Sequence, residues 1–167
     1  MNPTPIAALA VLLALIPTPI LADGDERAER AEKRVAPLSD AVARSECGAC
    51  HMPYPAALLP ERSWRAILAD LGRHFDEDAS LDEPTRGRIL AVLTAGAGDR
   101  VGFKLLRGLD PAATPRRISD LPRWRKEHRK VSGLFTRPGI NSASNCPACH
   151  TAGAAGDFGK ATRQVPR

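Results

Sequence analysis

The sequence contains two copies of a short cysteine–histidine motif. One copy occupies residues 47–51 and the other residues 146–150, and each reads Cys-x-x-Cys-His. Residues three apart in a helical turn point in the same direction, so the two thiols can react with the two vinyl groups of one porphyrin. The histidine that follows can then bind the iron as its proximal ligand. This spacing is that of a c-type haem attachment sequence, and it predicts two covalent haems.

The motifs contain every cysteine of the chain: Cys47, Cys50, Cys146 and Cys149. A zinc ribbon also uses paired Cys-x-x-Cys, but its pairs usually lie about 15–20 residues apart, and the gap here is far longer. A thioredoxin-like redox pair needs a strand–helix–strand context, which neither motif has. Two simple disulfides would not require a histidine after each pair. We therefore expect the four cysteines to attach two c-type haems, with His51 and His150 as proximal ligands of the irons.

Few residues could supply the second axial ligand of each iron. Met52 is the one methionine after residue 22, and its position next to His51 puts it on the proximal side of the first haem. Two histidines remain, His74 and His128, each on an apolar face of a predicted helix. Such a histidine is usually a packed core residue, but here two irons need ligands and two histidines are left. We predict that both haems have two histidine ligands, an arrangement typical of low-potential electron carriers.

The sequence also bears on which of these two histidines serves which haem. Closing a short loop costs less entropy than closing a long one. This favours His74 as the distal ligand of the first haem and His128 as that of the second. A crossed arrangement stays open.

An apolar run near the start of the chain predicts export. Residues 6–16 are all apolar, which is too short a run to span a bilayer but is typical of the core of a signal peptide. Cleavage after Ala22 would remove residues 1–22, whereas an uncleaved interfacial anchor is the alternative. No charged side chain precedes Asp23, so the mature periplasmic protein would keep the net charge of +5. Export agrees with c-type haem, which bacteria attach outside the cytoplasm.

The rest of the chain predicts a mainly α fold in which short helices and long loops pack around two haems. Four helices are predicted, over residues 39–46, 60–75, 83–94 and about 119–130. Asp82 is the expected N-cap of the third helix, and Ser119 or Asp120 that of the fourth, which has Pro122 in its first turn. Aromatic residues make up only 4% of the chain, so we expect the porphyrins to complete the core and the haem-free protein to be poorly packed.

The irregular stretch of residues 98–118 suggests a division into two lobes. The N-terminal lobe would comprise residues 23–97 and the C-terminal lobe residues 98–167, each with one haem. The C-terminal lobe contains a basic stretch of seven cations: Arg116, Arg117, Arg123, Arg125, Lys126, Arg129 and Lys130. They could form a solvated helix face, or a surface around the second haem that docks an acidic redox partner. Nucleic acid is not an expected partner of an exported haem protein.

Several segments resemble the bacterial dihaem cytochrome c family (DHC), in the family's order and over nearly the whole mature chain. They are residues 46–52, 60–64, 74–75, 78–81 and 127–131, the second motif, and residues 156–158. The resemblance implies a small periplasmic electron carrier with low-potential haems. It also implies two partner proteins, a membrane b-type cytochrome and an oxygen-binding monohaem cytochrome.

These observations favour an electron carrier over an enzyme. A haem enzyme or ligand-binding haem protein would need one open or displaceable axial site and acid–base groups beside it. With His74 and His128 committed to the irons, little remains to act as such a base. A haem-based sensor would usually carry an output domain, and none is visible in the sequence.

Overall fold

The backbone of the computed structural model is helical wherever it is regular. The structure describes residues 33–166, so the predicted signal peptide and residues 23–32 lie outside the described residues. Within the described residues there are four α-helices: α1 (Ala41–Gly48), α2 (Glu61–Leu68), α3 (Glu83–Ala95) and α4 (Pro122–His128). Short 3-10 turns and loops join them, and no strand occurs in this part of the chain. The predicted mainly α fold is confirmed.

Helix α1 ends inside the first cysteine motif. Its N-cap is Asp40, whose carboxylate accepts a hydrogen bond of 2.9 Å from the backbone N–H of Ala43. The helix begins two residues later than predicted, because Asp40 caps it, and it continues through Cys47 to Gly48. The first cysteine is therefore held by the last turn of a capped helix.

Helix α2 has the predicted apolar face but is much shorter than predicted. Trp64, Ile67 and Leu68 are buried on one side, and the indole N–H of Trp64 donates to the carbonyl of Ala56 at 2.7 Å. The predicted continuation to residue 75 is wrong. At Asp70 the backbone leaves the helical region (φ −138°, ψ 43°), and a separate 3-10 turn follows over Leu71–Arg73. The apolar periodicity continued through this break, so it did not reveal where the helix ends.

Helix α3 follows the prediction closely. The side chain of Asp82 accepts a hydrogen bond of 2.9 Å from the backbone N–H of Thr85, which confirms Asp82 as the N-cap. Ile89 and Leu93 are buried on the face that packs against α1 and α2. Together with the buried face of α2 they form the main hydrophobic core.

Helix α4 begins differently from the prediction. Its N-cap is Leu121, which offers no side-chain hydrogen bond, so neither Ser119 nor Asp120 caps the helix. These two residues belong to a preceding 3-10 turn, and the carboxylate of Asp120 instead pairs with Arg125 at 2.8 Å. Pro122 opens the helix as predicted. The helix ends at His128, shortly before the predicted end at residue 130.

Leu121 joins the C-terminal part of the chain to the main core. Its side chain is 0% exposed and packs in the same cluster as Trp64, Ile89 and Leu93. The start of α4 is thus anchored against helices that lie before the predicted lobe boundary at residue 98. The division into two lobes stays a prediction.

Backbone hydrogen bonds join residues 33–35, at the start of the described chain, to residues 156–158 near its end. The backbone N–H of Val35 donates to the carbonyl of Gly156 at 2.9 Å, and that of Phe158 donates to the carbonyl of Lys33 at 3.1 Å. Gly156 has a positive φ of 79°, and a Cβ atom there would collide with the carbonyl of Val35. Only glycine fits this close approach of the two segments. No helix in residues 33–166 is long and apolar enough to cross a membrane.

We expect the substitution Leu121→Ala to lower the free energy of unfolding by about 2–5 kcal/mol, because it leaves a cavity in the core that α4 shares with α2 and α3. Guanidinium titration followed by far-UV circular dichroism measures this loss. The matched control is Val101→Ala, since Val101 is 58% exposed and its truncation should change little. A loss below about 1 kcal/mol at Leu121 would contradict the placement of this residue in the main core.

Candidate haem sites

The first cysteine motif lies at the end of α1. Cys47 is half-buried in the last helical turn, whereas Cys50 is exposed just beyond it. Burial raises the pKa of the Cys47 thiol. The capped helix delivers the motif as the sequence predicted, and His51 follows directly.

The second motif lies in a tight turn rather than at the end of an α-helix. Cys146 opens a 3-10 turn, and its carbonyl accepts hydrogen bonds from the backbone N–H groups of Cys149 (3.1 Å) and His150 (2.7 Å). Burial raises the pKa of Cys146 to about 11. No disulfide joins any of the four motif cysteines. Among the described residues, no three His, Cys, Asp or Glu side chains are grouped as a metal ion held by the protein alone would need.

The structure brings His74 next to His51. The centres of their imidazole rings lie 6.2 Å apart, with 27° between the ring planes. Nδ1 of His51 lies 2.7 Å from the carbonyl oxygen of Met52. When Nδ1 donates its proton to that carbonyl, the lone pair of the ring is left on Nε2, where a metal can bind.

His74 is held by a tight two-residue turn. Its backbone N–H donates a hydrogen bond to the carbonyl of Glu77 at 2.8 Å. The backbone N–H of Glu77 donates one to the carbonyl of His74 at 3.1 Å. The two residues between them, Phe75 and Asp76, have positive φ angles of 54° and 76°. The guanidinium of Arg117 lies 4.0 Å from the centre of the Phe75 ring. A cation–π contact from the basic stretch therefore supports the turn that carries this histidine.

The structure brings His128 next to His150. Their ring centres lie 6.0 Å apart, with 71° between the planes. Nδ1 of His128 lies 2.9 Å from the carbonyl of Trp124, one helical turn earlier, and the Trp124 ring stacks on the imidazole at 4.2 Å. This stack is the contact between positions i and i+4 that the helical spacing of the two residues suggests. It fixes the orientation of His128 at the end of α4.

The ring-centre separations of both histidine pairs are compatible with a metal ion between the two rings. With metal–nitrogen bonds of about 2 Å, two imidazoles on opposite sides of one ion have ring centres about 6 Å apart. Each pair includes the histidine of a Cys-x-x-Cys-His motif, so two thiols lie close by in the sequence. The side chains present therefore fit two haems: the thiols of each motif would form the thioethers, and the imidazoles of each pair could supply nitrogen ligands to the iron.

Burial favours the neutral, metal-binding form of His74 and His150. Burial lowers the pKa of His74, and the nearby His51 and Arg117 lower it further. Burial likewise lowers the pKa of His150 to about 4, with smaller contributions from His128 and Arg163. Nδ1 of His150 is buried and has no hydrogen-bond partner among the described residues. A neutral ring with an unused nitrogen is suited to ligation.

The side chain of Met52, the residue after His51, packs against Gly153, three residues after His150. A Cβ atom at Gly153 would lie 3.3 Å from the Met52 sulfur and 3.5 Å from Cβ of His150. It would also lie 3.3 Å from the ring of Phe158, which contacts His150 at a centroid distance of 5.5 Å. Glycine at position 153 thus allows the segment after the first motif to pack against the second motif.

Sequence reasoning did not identify the aromatic residues that surround the histidines. Each of the four imidazoles contacts an aromatic ring: Tyr54 at His51, Phe75 at His74, Trp124 at His128 and Phe158 at His150. A further ring, Phe135, stacks on Trp124 at 5.5 Å. Phe75 and Trp124 lie close in the sequence to His74 and His128, so their contacts could be predicted. The contact of Phe158 with His150 depends on the fold of the segment after the second motif.

The basic stretch divides into paired and unpaired cations. Three arginines form ion pairs: Arg116 with Asp70, Arg123 with Glu127 and Arg125 with Asp120. Lys126, Arg129 and Lys130 are exposed, and no acidic side chain of residues 33–166 pairs with them. These three cations flank His128, and we call them the basic patch.

Comparison with known proteins gives one family and closely similar structures. The profile of the dihaem cytochrome c family (DHC) matches residues 43–158. The solved dihaem cytochrome c from Rhodobacter sphaeroides is 50% identical, with a TM-score of 0.69 over 75% of this chain and 99% of that chain. The dihaem cytochrome c from Shewanella baltica OS155 is 33% identical, with a TM-score of 0.64 over 75% of this chain and 92% of that chain. No curated protein sequence matches.

We expect Gly153→Val to lower the free energy of unfolding of the holoprotein by about 1–3 kcal/mol, because the added side chain overpacks the contact among Met52, Phe158 and His150. Gly133→Val is the matched control, since no atom lies within 4 Å of a Cβ atom at Gly133. Thermal unfolding monitored at the Soret band compares the two variants. Equal stability of the two would contradict the close packing at Gly153.

Proposed function

Since this chain belongs to the dihaem cytochrome c family, with two covalent c-type haems, we propose that it is a periplasmic electron carrier with low-potential haems, each ligated by two histidines. In this proposal Cys47 and Cys50 attach the first haem, and Cys146 and Cys149 attach the second. A haem iron alternates between its ferric and ferrous states and so stores one electron. The protein provides the axial ligands, the packing around them and the surface that meets its partners.

The observation that carries the proposal is the separation of the histidine pairs. Ring centres 6.2 Å apart in one pair and 6.0 Å in the other match two imidazoles on one ion. This supports His51 with His74 on the first haem and His128 with His150 on the second. An iron with two protein ligands has no open position for substrate, so the chemistry left to it is electron transfer.

The low potential follows from the ligands proposed. A methionine ligand raises the potential of a c-type haem relative to a second histidine. The sulfur of Met52 packs against Gly153, and this proposal assigns it to neither iron. Ligation of both irons by two imidazoles therefore gives two haems of low potential.

Export and docking complete the proposal. Removal of residues 1–22 after Ala22 would leave the mature protein in the periplasm, where c-type haem is attached. The basic patch beside His128 is suited to an acidic protein, because its three cations are not neutralised by neighbouring carboxylates. A membrane b-type cytochrome and an oxygen-binding monohaem cytochrome are the proposed partners.

We expect His74→Ala and His128→Ala each to convert one of two low-spin irons to a high-spin form that binds carbon monoxide when reduced, because each variant lacks one axial ligand. Visible and electron paramagnetic resonance spectra count the irons of each type. The controls are Glu77→Ala and Glu127→Ala, which alter neighbours of the two histidines and should keep both irons low-spin. If both histidine variants retained two low-spin irons, the proposed ligands would be wrong.

Reversal of two charges in the basic patch tests the docking surface. We expect Lys126→Glu/Lys130→Glu to slow reduction by an acidic plant-type ferredoxin about tenfold at low ionic strength, because the variant loses electrostatic steering. The double variant Arg44→Glu/Arg107→Glu changes the net charge equally at exposed positions elsewhere and serves as the control. Stopped-flow rates over a range of salt concentrations compare the two. Equal slowing in both would indicate an effect of net charge and exclude a local docking surface.

A further inference from the structure

Tyr54 contacts His51 of the first histidine pair and the segment just before the second motif. Its ring stacks on the imidazole of His51, with centroids 4.6 Å apart and 19° between the planes. Its hydroxyl donates a hydrogen bond of 2.8 Å to the backbone carbonyl of Ser144, which lies just before the second motif. One side chain thus spans from the first proximal histidine to the second haem-attachment segment.

The carbonyl of Ser144 also belongs to the turn that holds Cys146. It accepts a hydrogen bond of 2.9 Å from the backbone N–H of Cys146, the first cysteine of the second motif. The same oxygen therefore receives the phenol of Tyr54 and the amide of a haem-attachment cysteine. The imidazole of His51 is therefore connected to the backbone of Cys146 through Tyr54 and Ser144, by one ring stack followed by two hydrogen bonds.

Met52 makes a second contact between the same two segments. Its carbonyl is the hydrogen-bond partner of Nδ1 of His51, and its sulfur packs at Gly153 close to Cβ of His150. Residues 52–54 therefore connect the proximal side of the first pair with the proximal side of the second. Within residues 33–166, no ring contact joins His74 or His128 to the other histidine pair.

We propose that Tyr54 is a positioning residue that fixes the two haem sites relative to each other, with their proximal sides facing, and so sets the rate of electron exchange between them. This rests on the proposed function. The exchange moves one electron from a ferrous to a ferric iron, so that one iron is oxidised and the other reduced, with no bond or proton transferred. Its rate depends on how closely the two sites are held, which Tyr54 determines through its ring and its hydroxyl.

The test measures electron exchange in half-reduced holoprotein by NMR exchange spectroscopy of the haem methyl signals. We expect Tyr54→Leu, which removes both contacts, to slow the exchange about tenfold or more, as small displacements of a reacting pair do. Tyr54→Phe keeps the stack on His51 but loses the hydrogen bond to Ser144, so it should slow the exchange to a smaller extent. Because it removes a single oxygen atom, Tyr54→Phe carries the test even if Tyr54→Leu does not assemble both haems.

Phe103→Leu is the matched control, since it removes a half-buried aromatic ring that contacts neither histidine pair. It should lower thermal stability without slowing the exchange. Electron paramagnetic resonance first establishes that every protein retains two low-spin irons. High-spin iron in the unaltered protein would overturn the proposed function, and with it the role of Tyr54. If all proteins keep low-spin iron, two results would overturn the role of Tyr54 alone. One is an unchanged exchange rate in both Tyr54 variants. The other is that Phe103→Leu slows the exchange as much as the Tyr54 variants do.

Discussion

The structure depends on one geometric constraint: the imidazole centres of two histidine pairs are held about 6 Å apart, at 6.2 Å for His51 and His74 and at 6.0 Å for His128 and His150. In the proposed ligation of one iron by each pair, this separation leaves little tolerance, because metal–nitrogen bonds have a narrow range of lengths. Each histidine is therefore fixed locally. His74 sits at the base of a two-residue turn, and His128 is bound to Trp124 one helical turn earlier. His51 and His150 are fixed by the motifs that contain them.

This constraint explains where the few aromatic residues of the chain lie. The chain has two Trp, one Tyr and four Phe, and five of these seven rings lie at the histidine pairs. The helices α1 to α3 pack mainly through aliphatic side chains around Trp64, in a core that Leu121 extends to α4. The aromatic rings are thus concentrated at the two histidine pairs, and the aliphatic core supports the elements that carry these histidines.

Much of this arrangement could be predicted from local signals in the sequence. The cysteine motifs, the N-cap at Asp82 and Pro122 at the start of α4 each depend on residues close in the chain, and their physical requirements are specific. The end of α2 could not be predicted, because its apolar periodicity continues beyond the break at Asp70. The N-cap of α4 was also missed, since Asp120 pairs with Arg125 instead of capping the helix. The contacts of Tyr54 with Ser144 and of Met52 with Gly153 join distant segments, and no local pattern reports them.

The most direct test of the central claim is near-infrared magnetic circular dichroism of the oxidised holoprotein. The charge-transfer band of low-spin ferric haem differs in position between two-histidine and histidine–methionine ligation, and high-spin iron has a separate signature. We expect one class of band, that of two-histidine ligation, with the intensity of two irons per protein. A histidine–methionine band or a high-spin contribution from either iron would contradict the account.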